Sequence, residues 1–364
     1  MIKSIAKLAF IVLLLGHGLI HLLGFLKAFD LAQVNELTQE ISRPLGFLWL
    51  IAAMLFIITA VAFALKKRWW WATAIVAALL SQILIFTAWQ DAMFGSIANL
   101  IILVVALLQL GSVRFEGRYR QDVRNAQERV HGLPAKTITE ADLQTLPQPV
   151  QRYLRYVGVV GKPRVNSMFA EMAGEMRQKG GACFSVIVEQ HNYFDQPTRL
   201  FFMQGRMFGL TVPGYHRYQG NSATMDVRLF GLFPVVRVAG ATILEADTVT
   251  LFNDMCLLAP ATLIDKRITW QTLDDLTVKG TFTNQGVTIS AVLYFNNEGQ
   301  LVNFVSNDKW DVADMKQYPW STPVSQYRNF TGYTLPTYGE AIWHYPDGDF
   351  VYGKLEIKNI AYNA

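Results

Sequence analysis

Four long apolar runs without a charged side chain lie within the first 113 residues, and they constrain the fold more than any other feature. The runs are Leu8–Leu26, Pro44–Leu65, Trp69–Trp89 and Phe94–Val113. Each is about as long as the roughly 20 residues that a helix needs to cross a bilayer. A core helix of a soluble protein seldom runs this far without a polar face. The sequence therefore predicts a bundle of four transmembrane helices over residues 1–113.

The first run is interpreted as a retained helix, although Lys3 and Lys7 precede it as they would precede a secretory signal. It is long for the apolar part of a signal peptide, it has no A-x-A cleavage pattern, and three more runs follow it. We therefore expect a multi-pass membrane protein.

Basic residues are distributed unequally around the four runs. Ten Lys and Arg side chains flank the runs on one side of the membrane, whereas only Lys27 and Arg43 lie on the other. Because cytoplasmic flanks carry the excess of Lys and Arg, we expect an inner-membrane protein whose N-terminus and C-terminal domain are both cytoplasmic. The basic flanks also favour contact with anionic membrane lipids. No nucleic-acid partner is expected, because residues 130–364 are nearly neutral.

Two histidines, His17 and His21, lie four residues apart near the middle of the first run. Residues at this spacing share one helix face. Gln82 and Asn99 fall at a similar depth in the third and fourth runs, and Asp91 is the nearest acidic residue to the end of a run on that side. Polar groups in hydrocarbon face the interior of a bundle. These five residues are therefore the predicted intramembrane polar site.

Three interpretations of the histidine pair are open. The favoured one is a packing network, in which neutral imidazoles bind Gln82, Asn99 or a backbone carbonyl. The second is a small-ligand or proton-relay site. The third is a metal site, which would need a third ligand such as Asp91. The spacing does not allow both histidines to ligate one haem iron, and no metal or cofactor is predicted.

A basic helical linker is expected over residues 114–138, followed by a soluble domain over residues 139–364. From about Asn166 the apolar period changes from 3.6 to 2, which is typical of strands. The stretch VTISAVLYF shows it most clearly, with these apolar residues on one face: Val287, Ile289, Ala291, Leu293 and Phe295. One helical pattern, ILEADTVTLFNDMCLLAPATLI, interrupts the strands. The predicted fold class is an α+β domain in which a curved, mostly antiparallel sheet holds an inserted helix.

No catalytic motif of a common hydrolase, metalloprotease, redox or nucleotide-binding class occurs in the sequence. Glu189 and His191 share a strand face, and an exposed polar face is favoured for them over an acid–base pair. His344, Asp347 and Asp349 surround the PDGD turn, where turn chemistry is favoured over a cation site. Whether the chain is an enzyme is left open, with a non-enzymatic role favoured.

Three segments carry a resemblance to a known family. They are LPQPVQRYLRYVGVVGKPRV, NDMCLLAPATLI and QYRNFTGYTLPTYGEAIWHYPDGDFVYGKLEIKNIAY. They resemble an uncharacterised bacterial domain-of-unknown-function family over most of residues 140–364, and this resemblance implies no catalytic residue. The strand order is also similar to lipoprotein-localisation (LolA-like) half-barrels, which hold acyl chains in an apolar concavity.

Two functions from different classes follow. The leading hypothesis is a membrane-anchored binding protein for an apolar or lipid-like ligand, because a bilayer anchor is joined to a sheet rich in Phe, Met, Trp and Tyr. The alternative is a membrane redox, metal or proton-handling protein that uses His17 and His21. The protein partner is not predicted by either.

Overall fold

The computed structural model describes residues 2–133, 136–207 and 209–364, which form two compact units, Met1–Arg114 and Phe115–Ala364. The helices are α1 (Ile2–Ala28), α2 (Arg43–Ala64), α3 (Trp70–Thr87), α4 (Trp89–Ala92), α5 (Gly95–Val130), α6 (Glu140–Leu143), α7 (Gln148–Val157) and α8 (Ala241–Leu257). Of the linker expected over 114–138, residues 134 and 135 lie outside the described residues. Helix α5 continues from the fourth apolar run as far as Val130.

The first unit contains four helices that are long and apolar enough to cross a membrane: α1, α2, α3 and α5. Its core is built largely from alanines, such as Ala74, Ala77 and Ala106, around Leu14 and Phe56. Small residues let neighbouring helix backbones approach closely, which is how helices pack where no hydrophobic effect drives them together. The four long apolar helices agree with the helical part of the predicted fold class.

The second unit is dominated by one large sheet. Its strands are β1 (Ser167–Met176), β2 (Phe184–Tyr193), β3 (Thr198–Met207), β4 (Leu210–Gln219), β5 (Ser222–Leu229), β6 (Phe233–Ala239), β7 (Ile268–Thr272), β8 (Thr277–Asn284), β9 (Val287–Phe295), β10 (Leu301–Ser306), β13 (Trp320–Ser321), β14 (Val324–Phe330), β15 (Tyr333–Tyr345) and β16 (Gly348–Tyr362), while β11 (Trp310–Asp311) and β12 (Lys316–Gln317) form a separate pair.

The sheet runs in the order β6-β5-β4-β3-β2-β1-β16-β15-β13-β10-β9-β8-β7, and β14 pairs with β15. All pairings between the named strands are antiparallel. The sheet curls into a half-barrel. The predicted fold class, a helical bundle plus a curved antiparallel α+β domain with an inserted helix, is therefore confirmed.

Helix α8 lies against the concave face of this half-barrel. Its Phe252 stacks on Phe282 of β8 at 5.6 Å between ring centroids, and it also contacts Phe304 of β10. Ile243, near the other end of the helix, is buried in the same core. Twelve of the 17 residues of α8 are buried, and polar residues such as Asp247 and Asp254 are among them.

The outer face of β2, β3 and β4 is covered by residues 115–130 of α5. Tyr119 stacks on Phe202 of β3 at 5.0 Å, and Phe115 packs in the same cluster. This cover explains why β3 reads TRLFFM, with apolar residues on both faces. The prediction that Glu189 and His191 lie on an exposed strand face was therefore wrong, because α5 covers that face.

Candidate functional site

The concave face of the half-barrel encloses a cavity of about 960 Å³. Small-molecule sites typically measure roughly 300–1,000 Å³, so this cavity is at the upper end of that range. Its walls are mostly apolar, with charged side chains such as Arg177 and Glu340 among the lining residues. The apolar part includes these methionine and aromatic side chains from both halves of the sheet: Met172, Met176, Met203, Met207, Met225, Phe184, Phe201, Trp320, Trp343 and Phe350. Methionine side chains are flexible and polarisable, so such walls can adapt to ligands of different shape.

Strand alternation explains how the sequence builds these walls. In β3, Phe201 and Met203 line the cavity, whereas Leu200 and Phe202 point to the outer face and pack in the cluster under α5. Alternate residues of a strand point to opposite faces. The same strand places one charged residue, Arg199, on the cavity side.

Five titratable residues form a charged cluster at the cavity, and we use that name for Arg199, His216, Asp247, Asp254 and Lys309. An ion pair joins Arg199 Nε to Asp254 Oδ2 at 2.7 Å, and both side chains are less than a tenth exposed. Gln190 and Asn192 of β2 also donate to that oxygen, at 2.7 and 3.0 Å.

Lys309 is held against helix α8. Its Nζ donates to the backbone oxygen of Ala246 at 3.0 Å and to the hydroxyl of Thr250. Burial lowers the pKa of Lys309 to about 8, and the nearby Asp247 partly offsets that change.

Asp247 lies between Ala246 and Thr250 in helix α8 and is buried, at 3% exposure. Burial raises the pKa of Asp247 to about 6, although Arg199 and Lys309 act in the opposite direction. Burial, together with the smaller effects of the same two cations, lowers the pKa of His216 to about 3. At neutral pH the imidazole is therefore uncharged, and the cluster holds two cations and two anions.

The polar residues predicted in the first unit occupy a different site. His17 Nε2 donates to the side-chain oxygen of Asn99 at 2.9 Å and also lies 3.3 Å from the Ser81 hydroxyl. The Asn99 amide donates to Ser81 and to Gln82, at 2.9 and 3.2 Å. These contacts connect α1, α3 and α5. Ser81 belongs to this network and was not singled out from the sequence, because one serine in an apolar run is not a distinctive signal.

His21 and Asp91 do not extend this network. His21 Nδ1 donates to the backbone oxygen of His17 at 2.8 Å, and its ring packs between Trp49 and Phe56. Asp91 instead accepts from the backbone N and hydroxyl of Thr38, at 2.7 and 2.9 Å.

A metal site is not formed by these groups. Within residues 2–133, 136–207 and 209–364, no cluster of three or more His, Cys, Asp or Glu side chains could hold a metal ion. The metal version of the alternative function needed a third ligand such as Asp91, and Asp91 instead binds Thr38.

The other pairs singled out from the sequence have structural partners. His191 Nδ1 lies 2.8 Å from the Tyr119 hydroxyl, and Glu189 pairs with Arg120 at 2.7 Å, so both bind helix α5. Burial lowers the pKa of His191 to about 4. At the PDGD turn, His344 lies 2.6 Å from Asp349, and Asp347 pairs with Lys179.

The charged cluster was missed in the sequence, although one signal pointed to it. Asp247 and Asp254 lie seven residues apart in an otherwise apolar helical pattern, which places them on one helix face. Acidic residues on the buried face of a helix need partners inside the fold. Their partners, Arg199 and Lys309, come from distant strands and loops.

Fold and cavity together define a class of protein: a curved antiparallel half-barrel with a buried helix and an apolar cavity, in a chain with four helices of bilayer length. The chain belongs to the family of unknown function DUF6544, which matches residues 136–355. The domain-of-unknown-function family expected from the sequence is thus confirmed. No curated protein matches the chain.

Three solved structures are similar in fold. A domain described as outer membrane lipoprotein-sorting from Vibrio parahaemolyticus has 7% identity and a TM-score of 0.36, covering 55% of this chain and 86% of that one. A DUF1329 family protein from Desulfovibrio piger has 12% identity and a TM-score of 0.37, covering 59% and 92%. A LolA superfamily protein from Nitrosomonas europaea has 10% identity and a TM-score of 0.34, covering 62% and 91%. LolA-like half-barrels, expected from the strand order, are thus among the similar structures, but likeness at this level does not extend to a ligand.

Proposed function

We propose that this chain is a membrane-anchored binding protein whose C-terminal domain holds an apolar or lipid-like ligand in its cavity. The observation that carries the proposal is the cavity of about 960 Å³ with methionine and aromatic walls. Protein interiors are close-packed and contain few voids larger than a water molecule. A space of this size beside a helix that already occupies the concave face supports binding of a molecule.

The chemistry of the walls supports an apolar ligand over a polar one. Outside the charged cluster, side chains such as Met172, Met203 and Phe201 offer water few hydrogen-bond partners. Replacing water along such walls with hydrocarbon is favourable by about 25 cal/mol per Å² of apolar surface removed from water. The bilayer that the four long apolar helices are fit to enter is a source of such molecules.

Native mass spectrometry of the full chain, purified in a mild detergent, tests the proposal. We expect a copurified apolar molecule that is released on unfolding. The variant Ala341→Trp places a large ring on the cavity wall and should lower the bound fraction several-fold. Its matched control is Ile342→Trp, because Ile342 is the next residue of β15 and does not line the cavity. No bound apolar molecule in the native chain, or equal binding by both variants, would contradict the proposal.

The proposed location is the inner membrane, with the N-terminus and the C-terminal domain in the cytoplasm. The distribution of Lys and Arg around the apolar helices supports it. Cys183 provides a natural probe, because it is an exposed free thiol of the C-terminal domain, whereas Cys256 is buried. A membrane-impermeant maleimide should label Cys183 only after spheroplasts are opened. Labelling in intact spheroplasts would place the domain on the opposite side.

A further inference from the structure

Asp247 presents an unsatisfied hydrogen-bond acceptor at the cavity wall. The residue is 3% exposed, and its Oδ2 atom has no hydrogen-bond partner among the described residues. An ionised carboxylate only accepts hydrogen bonds. Buried polar atoms are nearly always satisfied, and one left without a partner is costly. A ligand that meets this atom must therefore donate a hydrogen bond.

Lys309 places a donor beside this acceptor. Its Nζ binds the Ala246 oxygen and the Thr250 hydroxyl, which flank Asp247 along helix α8. An ammonium group has three hydrogens, so these two acceptors leave one for a further acceptor, and Nζ also lies 4.7 Å from the centroid of the Trp320 ring. A hydroxyl group can donate to Asp247 and accept from Lys309 at the same time, whereas a carboxylate or an ammonium group can do only one of these.

The charge balance of the cluster also favours an uncharged head. Arg199 and Lys309 balance Asp247 and Asp254, and Arg199 is already engaged with Asp254. An anionic head would add a further negative charge beside Asp247, and a cationic head would add a third positive charge close to Arg199 and Lys309, which both act on Asp247. An unbalanced charge in buried surroundings is strongly unfavourable.

We infer that the cavity selects an amphiphile with an uncharged hydroxyl-bearing head, such as a monoacylglycerol, whose hydroxyl binds Asp247 while its chain lies along the methionine walls. This inference rests on the proposed function, because it concerns the ligand of the same cavity.

Competition between three probes with the same eighteen-carbon chain tests the inference. The full chain in lipid nanodiscs is incubated with equal amounts of 1-oleoylglycerol, oleate and oleylamine, and the bound species are measured by native mass spectrometry. The native chain should retain 1-oleoylglycerol at least about tenfold over either charged probe, as one hydrogen bond to a charged group predicts.

The variant Asp247→Asn should reduce the preference over oleate to within about twofold, because its amide group can also donate to a carboxylate. Glu245→Gln is the matched control, since Glu245 lies on the same helix and binds Gln317 at 2.9 Å. Its preference should equal that of the native chain. Protection of Cys256 from thiol labelling verifies that both variants are folded.

Each of the other possible results of this experiment overturns a specific part of the inference or of the proposed function. Equal retention of the three probes by the native chain overturns the head-group inference and leaves the proposed function standing. Retention of none of them by the folded native chain counts against the proposed function itself. An unchanged preference in Asp247→Asn overturns the assignment to Asp247.

Discussion

The guanidinium of Arg199 and the carboxylate of Asp254 lie 2.7 Å apart where a half-barrel strand meets the helix inside it. The pair joins β3 to α8, and the side-chain amides of Gln190 and Asn192 in β2 donate to the same carboxylate. Breaking a buried ion pair by removing one partner leaves an uncompensated charge, which typically costs about 3–5 kcal/mol. The pair therefore fixes the position of α8 on the sheet.

We predict that Arg199→Ala lowers the free energy of unfolding of the C-terminal domain by about 3–5 kcal/mol. Cys256, which is 0% exposed, reports this change in a Cys183→Ser background, because only opened molecules react with a thiol reagent. The control is Arg155→Ala, which breaks an exposed ion pair with Glu140 and should cost less than about 1 kcal/mol. Equal labelling rates in the two variants would show that the buried pair contributes no more than the exposed one.

Helix packing in the first unit should be sensitive to a single methyl group at Gly24. A Cβ atom there would lie 2.3 Å from Cδ2 of Trp49, whereas one at Gly16 would meet no heavy atom within 4 Å. We expect Gly24→Ala to separate α1 from α2 and to lower the thermal stability of the detergent-solubilised chain. Gly16→Ala should match the native chain within error. A stable Gly24→Ala variant would contradict the close approach.

Asn99 should contribute more than Gln82 to the stability of the hydrogen-bond network around His17. Asn99→Ala removes the acceptor of His17 and the donor to Ser81 at once. We expect a loss of about 0.6–1.7 kcal/mol, which runs from the average to the largest value measured for hydrogen bonds between transmembrane helices. Gln82→Ala leaves the contact of His17 with Asn99 in place and should cost less. Steric-trap unfolding in bicelles measures the loss of stability in both variants. An equal loss would show that Asn99 contributes no more to the network than Gln82 does.

Asp247 should make stability depend on pH in a defined direction. The pKa of Asp247 is about 6 in the folded chain, compared with 3.8 for an ordinary aspartate such as one in the unfolded chain. The folded state therefore binds the proton more tightly than the unfolded state at pH values between these two. The free energy of unfolding contributed by this group therefore falls as pH rises from about 4 to about 6, by at most about 3 kcal/mol. The advantage of Asp247→Asn over the native chain should grow across that window and then level off.

Denaturant titrations at several pH values, followed by circular dichroism, measure this difference. Arg199, Lys309 and Asp254 face Asp247 and are retained in both chains, so their titration largely cancels in the comparison. Asp275→Asn, on an exposed turn, is the control and should show a constant difference. A flat difference for Asp247→Asn would mean that the carboxylate is not buried as described.

Local patterns predicted most of the long elements, but β4, β6 and β14 were missed, and two of these three strands contain proline. The apolar face of α7 is buried as its spacing indicates, with Val150, Tyr153, Leu154 and Val157 at 0% exposure. Strand β4 was missed because Pro213–Gly214 is typical of a turn. The structure accommodates Pro213 because β5 pairs with β4 only from Gly214 onward. Strand β6 contains Pro234 and lies at the sheet edge, where proline is tolerated.

The candidate site was predicted only as a concavity. Apolar strands and one helix indicated a sheet around a helix, and that arrangement implies a cavity when the helix does not fill it. The charged cluster depends on which face of α8 meets which strand. Arg199, Asp247 and Lys309 come from separate parts of the chain, so no local period relates them. Tertiary packing alone brings them together.

The position of β16 has a consequence for synthesis of the protein. This strand lies between β1 and β15 and joins the two halves of the sheet, although it is the last strand of the chain. Until Tyr362 has left the ribosomal exit tunnel, β1 lacks a partner along the edge where β16 pairs, and such unpaired edges promote aggregation. The half-barrel therefore closes only after translation of residues 348–362.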